Sequence, residues 1–136
     1  MSETVRPEVS ENNEYWISKH RYYELKHFCQ QYPEWKSKRA WLDGLTSVST
    51  EKVSGGIPGD PTANAAVLRS YYSDRIDMID RAAKEADPFL ADYIRKGATE
   101  GYSYEALKVN DHLPCCRNEY YDRYRKFFWI LNNLRK

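Results

Sequence analysis

Asp60-Pro61 opens a stretch in which neither Gly nor Pro recurs until Pro88. An acidic N-cap followed by proline is a strong helix start, because proline lacks an N–H that would go unbonded there and its φ is already set. The uninterrupted run that follows predicts one long helix. Ala65, Leu68, Tyr72, Ile76, Ile79, Ala83 and Ala86 form its apolar stripe, while Arg69, Asp74, Asp77, Asp80, Arg81, Lys84 and Glu85 keep much of the remaining surface wet. A rod of this kind must bury its stripe on other elements, and no segment alternates apolar and polar residues over a useful length. The expected fold class is all-α: a helical hairpin, a long central helix and a C-terminal helix-turn-helix.

The flanking segments supply the other helices. Ser18 is placed to cap a helix carrying Tyr22, Leu25, Phe28, Cys29 and Tyr32, with Pro33 as its stop. Pro33-Glu34-Trp35 can open a second helix through Trp41 and Leu42 that stops near Gly44. Leu45 to Asp60 turns to Ser, Thr, Gly and Pro and reads as a connector and subdomain boundary. Asp87-Pro88 repeats the start signal for a helix with Phe89, Leu90, Tyr93 and Ile94, running to about Lys96 or Gly97. Ser103 caps a short helix from Tyr104 to about Val109, and residues 110–114 connect it to a final helix starting near Cys115. Tyr120, Tyr124, Phe127, Leu131 and Leu134 are the expected buried stripe of that last helix.

A length of 136 residues, 41% hydrophobic and 30% charged, suits one compact domain or two small helical units. The expected division is a flexible tail over 1–13, an aromatic helical hairpin over 14–44, a flexible linker over 45–60 and a helical DNA-binding domain over 61–136, with the helix-turn-helix at about 103–136. The 12 Tyr, 4 Trp and 4 Phe outweigh the sparse branched aliphatics, so bulky, polar-tipped side chains are expected to build the core. The N-terminal residues lack the apolar stretch of a signal peptide, and no run approaches the roughly 20 apolar residues of a membrane span. A cytoplasmic location and no membrane partner are therefore expected. Cys29, Cys115 and Cys116 are an odd count, and the adjacent pair cannot readily close an unstrained disulfide, so reduced thiols are expected.

The net charge of +1 hides an asymmetry. From Arg117 onward, Arg117, Arg123, Arg125, Lys126, Arg135 and Lys136 face only Glu119 and Asp122, a local surplus of +4 that leaves −3 for residues 1–116. A short helix, a tight connection and a basic helix form the arrangement that lays one helix in a DNA major groove. With Tyr120 and Tyr124 turned inward, Arg117, Asn118, Tyr121, Asp122 and Arg125 fall largely on the opposite face. The first four are the expected groove residues, Arg117 pairing with guanine and Asn118 with adenine. Arg123, Arg125 and Lys126 are the expected phosphate ligands. Ser103 and Tyr104 could add phosphate contacts at the start of the bracing helix, or serve only to cap it.

Gly-Tyr-Ser-Tyr-Glu-Ala-Leu from Gly101, Leu-Pro-Cys from Leu113 and Tyr-Tyr-Asp-Arg-Tyr-Arg-Lys from Tyr120 resemble the promoter-binding C-terminal domain of sigma factors. More narrowly, residues 87–136 are similar to phage and prophage transcriptional regulators of the RinA and ArpU type. The chain from Tyr15, with Tyr-Tyr-Glu-Leu-Lys and Tyr-Pro-Glu-Trp-Lys, also resembles small prophage-borne proteins of Gram-positive bacteria. The resemblance implies sequence-specific binding to double-stranded DNA at a phage promoter and activation of transcription, with RNA polymerase as a further partner. A homodimer is also an expected state.

Other chemistries have thinner support. His112 with Cys115 and Cys116, or His20 and His27 with Cys29, offer zinc-ligand types, but no Cys-x-x-Cys pair occurs and each cluster lacks a fourth ligand. Cys116 near His112 is the sole local hint of a nucleophile, and Asp74, Asp77 and Asp80 are more simply a solvated helix face. Ser54-Gly55-Gly56-Ile57-Pro58-Gly59 lacks the lysine and spacing of a phosphate-binding loop and reads as a hinge. Neither an enzyme nor a metal or other cofactor is expected. The bland alternative for the last helix is an amphipathic helix with a solvated charged face. The alternative function is a phage packaging or assembly protein that oligomerises through its aromatic helices, with Trp16, Tyr23, Trp35 and Trp41 as anchors.

Overall fold

The computed structural model describes residues 13–49 and 61–135, and the side chains of 13–44 and 64–135. Among these residues the architecture is all-α: α1 (Lys19–Gln30), α2 (Tyr32–Ser49), α3 (Pro61–Ala86), α4 (Ala91–Glu100), α5 (Tyr104–Asp111) and α6 (Arg117–Leu134). The expected tail over 1–12, the expected hinge at 54–59, the Asp60 cap and Lys136 lie outside the described residues.

Boundaries follow the local signals with instructive exceptions. Ser18 has the extended backbone of an N-cap (φ −68°, ψ 155°), but its side chain makes no capping hydrogen bond. Tyr32 belongs to α2, and Pro33 sits in that helix's first turn, where no backbone donor is lost. The stop expected at Gly44 does not occur, since α2 runs on to Ser49 and takes up the first part of the expected linker. A mid-helix glycine costs only about 1 kcal/mol relative to alanine, too little to end a helix unaided. At the α3–α4 corner, Asp87 Oδ1 accepts from the backbone N–H of Phe89 (2.9 Å) and Leu90 (3.2 Å). The aspartate thus organises a turn, α4 starts only at Ala91, and Phe89, expected inside that helix, lies in the turn and is 90% exposed.

Contacts divide the chain into two units. The first comprises residues up to Gln31 together with Met78–Lys136, and the second is Tyr32–Asp77. This grouping differs from the expected hairpin over 14–44, since α1 falls in the first unit and α2 in the second. The first helix packs on α4 and α6, because its stripe of Tyr22, Leu25, Phe28 and Cys29 is buried with the C-terminal helices.

The core of the first unit is built from rings. Phe128 meets Tyr22 edge-on at 5.1 Å and Tyr124 edge-on at 5.0 Å, and Tyr120, Tyr121 and Phe127 extend the cluster along α6. Edge-to-face pairs of this kind contribute about 0.5–1.5 kcal/mol each beyond their burial. Ile79, Ala82, Ala83 and Ala86 bring the end of α3, and Leu90, Ile94 and Ala98 bring the α4 region, into the same core. Gly97 is required by this packing: a Cβ there would overlap the Tyr120 hydroxyl.

In the second unit α2 and the first part of α3 are linked by an ion pair between Arg69 and Asp43 and by Arg39 Nη1 donating to Ser73 Oγ at 3.3 Å. Tyr32, Trp35, Leu42 and Ile76 are buried, whereas Trp41, Val67, Leu68 and Tyr71 stay exposed.

Candidate nucleic-acid interface

Local chemistry builds the junction of α5 and α6. Ser103 Oγ accepts from the Ala106 N–H at 3.1 Å, a side-chain N-cap that satisfies one of the free donors of the first turn of α5. The helix ends at His112, whose left-handed backbone (φ 57°, ψ 46°) turns the chain. The Leu113 N–H then returns to the Leu107 carbonyl at 3.3 Å, and both leucines are buried. From the flank of α5, Lys108 Nζ donates to the carbonyls of Leu113 (3.1 Å) and Cys115 (3.4 Å), and the Tyr104 hydroxyl donates to that of Cys115 (3.1 Å). These bonds hold the turn of residues 112–116 against α5 and set where α6 begins. On the other side of α5, Lys96 of α4 pairs with Asp111 at 2.8 Å, and that hydrogen bond raises the lysine above its ordinary pKa.

The expected site residues divide sharply. Ser103, Tyr104, Arg117 and Asn118 come together at this junction. Asn118 is exposed at the start of α6. Arg117 is half-exposed and forms an ion pair with Glu105 of α5, and its guanidinium lies 5.2 Å from the Tyr121 ring and 5.9 Å from the Tyr104 ring. The Ser103 hydroxyl is occupied by capping, so only its surroundings, not the side chain, are open to a ligand. Asp122, Arg125 and Lys126 are half-buried along the next turns.

Two expected residues are corrected. Tyr121, placed on the groove face by the sequence, is only 5% exposed and packs on Tyr120 (5.0 Å) and Tyr124 (5.9 Å). The apolar sector of α6 is wider than a single stripe, and the i+3 and i+7 positions from Tyr121 are Tyr124 and Phe128, both interior. Arg123, expected as a phosphate ligand with little competing acid, lies between Asp122 and Asp87, its Nε donating to Asp87 at 3.3 Å. With exposures of 34% and 17%, the Arg123–Asp87 pair is a tie between α6 and the α3–α4 corner. The contact spans 36 positions and has no signature in local spacing.

Farther along, the outer side of α6 is partly covered. The Tyr15 ring lies 5.7 Å from Trp129, and Arg21 of α1 donates to Asn132 Oδ1 at 2.6 Å. Arg125 Nε is buried and meets no acceptor among the described residues. The outward edge therefore comprises Arg117, Asn118 and Glu119, continued by Asp122, Arg125 and Lys126. Sequence reasoning missed Glu105 and Lys108, which brace this edge. Glu105 carried one available signal, an acid in the first turn of α5 within reach of a following basic helix.

The remaining chemistries find little footing. Burial pushes the Cys29 thiol well up, with Arg135 opposing weakly, and burial aided by Glu119 raises Cys115. Thiolates are thus disfavoured at both positions. Among the described residues no group of three or more His, Cys, Asp or Glu is disposed to hold a metal ion, and no helix is long and apolar enough to cross a membrane. No protein-family model matches the chain, and no curated protein or solved structure matches it either.

Proposed function

We infer that the protein is a double-stranded-DNA-binding transcriptional regulator of phage or prophage type that enters the major groove with the start of α6. The observation that carries this reading is the clamped turn, in which Lys108 and Tyr104 bind the carbonyls ahead of α6 and present Arg117 and Asn118 outward on a fixed brace. Asn118 would read adenine, and Arg117 would read guanine after exchanging Glu105 for the base. Arg125 and Lys126 are the phosphate ligands, Asp122 borders the groove, and the first turn of α5 at Ser103 and Tyr104 lies against the backbone. Tyr121 and Arg123 serve this surface from within, by holding α6. Contact with RNA polymerase and pairing of two copies on a two-fold operator belong to the same proposal.

Titration of the protein against duplexes selected from random DNA tests it. Affinity falls steeply with salt; Lys126→Ala weakens all sequences alike and lowers the salt slope by about 1, while Asn118→Ala relaxes preference at one base for a cost of about 1–3 kcal/mol. Glu105→Gln releases Arg117 and tightens binding. Absence of any binding in low salt ends the proposal.

A second reading, an assembly protein that self-associates through aromatic helices, is favoured by Trp41, Val67, Leu68 and Tyr71, which the second unit leaves 65%, 67%, 45% and 46% exposed.

A further inference from the structure

In the second unit, α2 and α3 line a half-open apolar hollow of about 200 Å³ formed by Lys38, Trp41, Leu42, Leu68 and Tyr72. Leu42 forms its buried floor, while Trp41 and Leu68 are open to solvent. Lys38 stands at the rim, its ammonium 6.0 Å from the Tyr72 ring, and it pairs with no carboxylate among the described residues. The adjacent Arg69 is already neutralised by Asp43. The hollow is thus an aromatic socket with one uncompensated positive charge.

The first unit carries a projection of the opposite character. Phe89, at the α3–α4 corner, is the most exposed large apolar side chain among the described residues, at 90%. It does not hang on a slack loop: its N–H donates to Asp87 Oδ1, Pro88 precedes it and α4 begins just after it. Asp92, three positions on, is 84% exposed and offset only by Arg95 at 3.1 Å. Leaving a phenylalanine in water forgoes about 1.5–3 kcal/mol of burial, so the projection and the socket each carry unspent apolar surface.

We propose that Phe89 of one copy inserts into the Trp41–Tyr72 socket of a second copy, with Asp92 brought toward Lys38. The sizes agree, since an apolar cavity of about 150 Å³ accepts benzene, the ring that phenylalanine presents. The charges are opposite, the acidic Asp92 facing the basic Lys38. Because projection and socket are different patches, the contact is heterologous, and copies add head to tail unless a ring closes. This inference is independent of DNA binding.

Sedimentation of the full chain over a concentration series is the test. The native protein self-associates with rising concentration. Phe89→Asp and Leu68→Asp, both at exposed positions and both retaining native circular dichroism, each weaken association by about 10-fold or more, the equivalent of about 1.4 kcal/mol. Mixed together, these two variants form one-to-one pairs, because each still supplies the half that the other lacks. Asp92→Lys weakens association, and Lys38→Asp in the same chain restores it. A native protein that stays monomeric at every concentration overturns the proposal. So does loss of association in Leu68→Asp alone with Phe89→Asp unaffected, which indicates a symmetric aromatic contact, and so does a mixture that fails to pair.

Discussion

The two units bury their aromatic residues to different extents, although the first leaves Phe89 exposed and the second buries Tyr32 and Trp35. Residues 13–31 and 78–135 sink Tyr22, Tyr120, Tyr121, Tyr124, Phe127 and Phe128 to 5% exposure or less, whereas residues 32–77 leave Trp41 at 65% and Tyr71 at 46%. Four helices converge on the first set, so each ring finds neighbours on several sides. In the second unit α2 and part of α3 are the elements available, and two helices cannot enclose rings on both faces. Where helices converge most of the rings form a core, and where only two helices meet a larger share of them stays exposed.

The strongest test of this contrast is Phe128→Ala. It empties the middle of the ring cluster and is expected to cost about 3–5 kcal/mol in denaturant unfolding. A cost below 1 kcal/mol would mean that the cluster does not hold the first unit together. Alkaline pH probes the same rings by charge. Burial raises Tyr120, and burial together with the neighbouring Tyr22 raises Tyr124, above the ordinary value of 10.0. The raised folded-state values make this stability fully present below pH 10 and lost as pH climbs above it, by about 1.4 kcal/mol per unit for each ring. Unfolding titrations on either side of that pH measure the slope, which Tyr120→Phe should flatten.

Smaller effects sharpen the comparison. Gly97→Ala sets a methyl group against the Tyr120 hydroxyl and should cost about 1–3 kcal/mol, read as a lowered Tm. Trp41→Ala, in the exposed set, should change the stability of the isolated chain by no more than about 0.5 kcal/mol in the same melt, provided it is made at a concentration where copies stay apart. A large loss there would mean that Trp41 is core after all.

How much of this was legible in the sequence depended on distance along the chain. The start of α3 at Pro61 and the Ser103 cap were readable because proline positions and caps act within one turn, whereas α6 starts two residues beyond the expected Cys115. The all-α class followed from the same local signals. Gly44 misled because a glycine signals a stop only where the backbone turns left-handed, as at Gly101 (φ 79°), and nothing local distinguishes the two. Phe89 misled because the Asp87 side chain spends its oxygen on a turn rather than on a helix start. At the candidate site, Arg117 and Asn118 are exposed at the start of α6, on the face where their spacing put them. Tyr121 and Arg123 are not, since the breadth of a buried sector and an acid 36 positions away are set by tertiary packing.

The rings that line one side of α6 act as a phase lock. Rolling that helix by a single position would drive a bulky ring into water and pull a charged group inward, so its azimuth is pinned from the interior. Substitutions at Arg117, Asn118 or Lys126 can therefore alter what the outer side presents without turning the cylinder that bears it. Such an arrangement separates vocabulary from grammar: the exposed letters are free to be rewritten while the scaffold that aligns them stays unchanged.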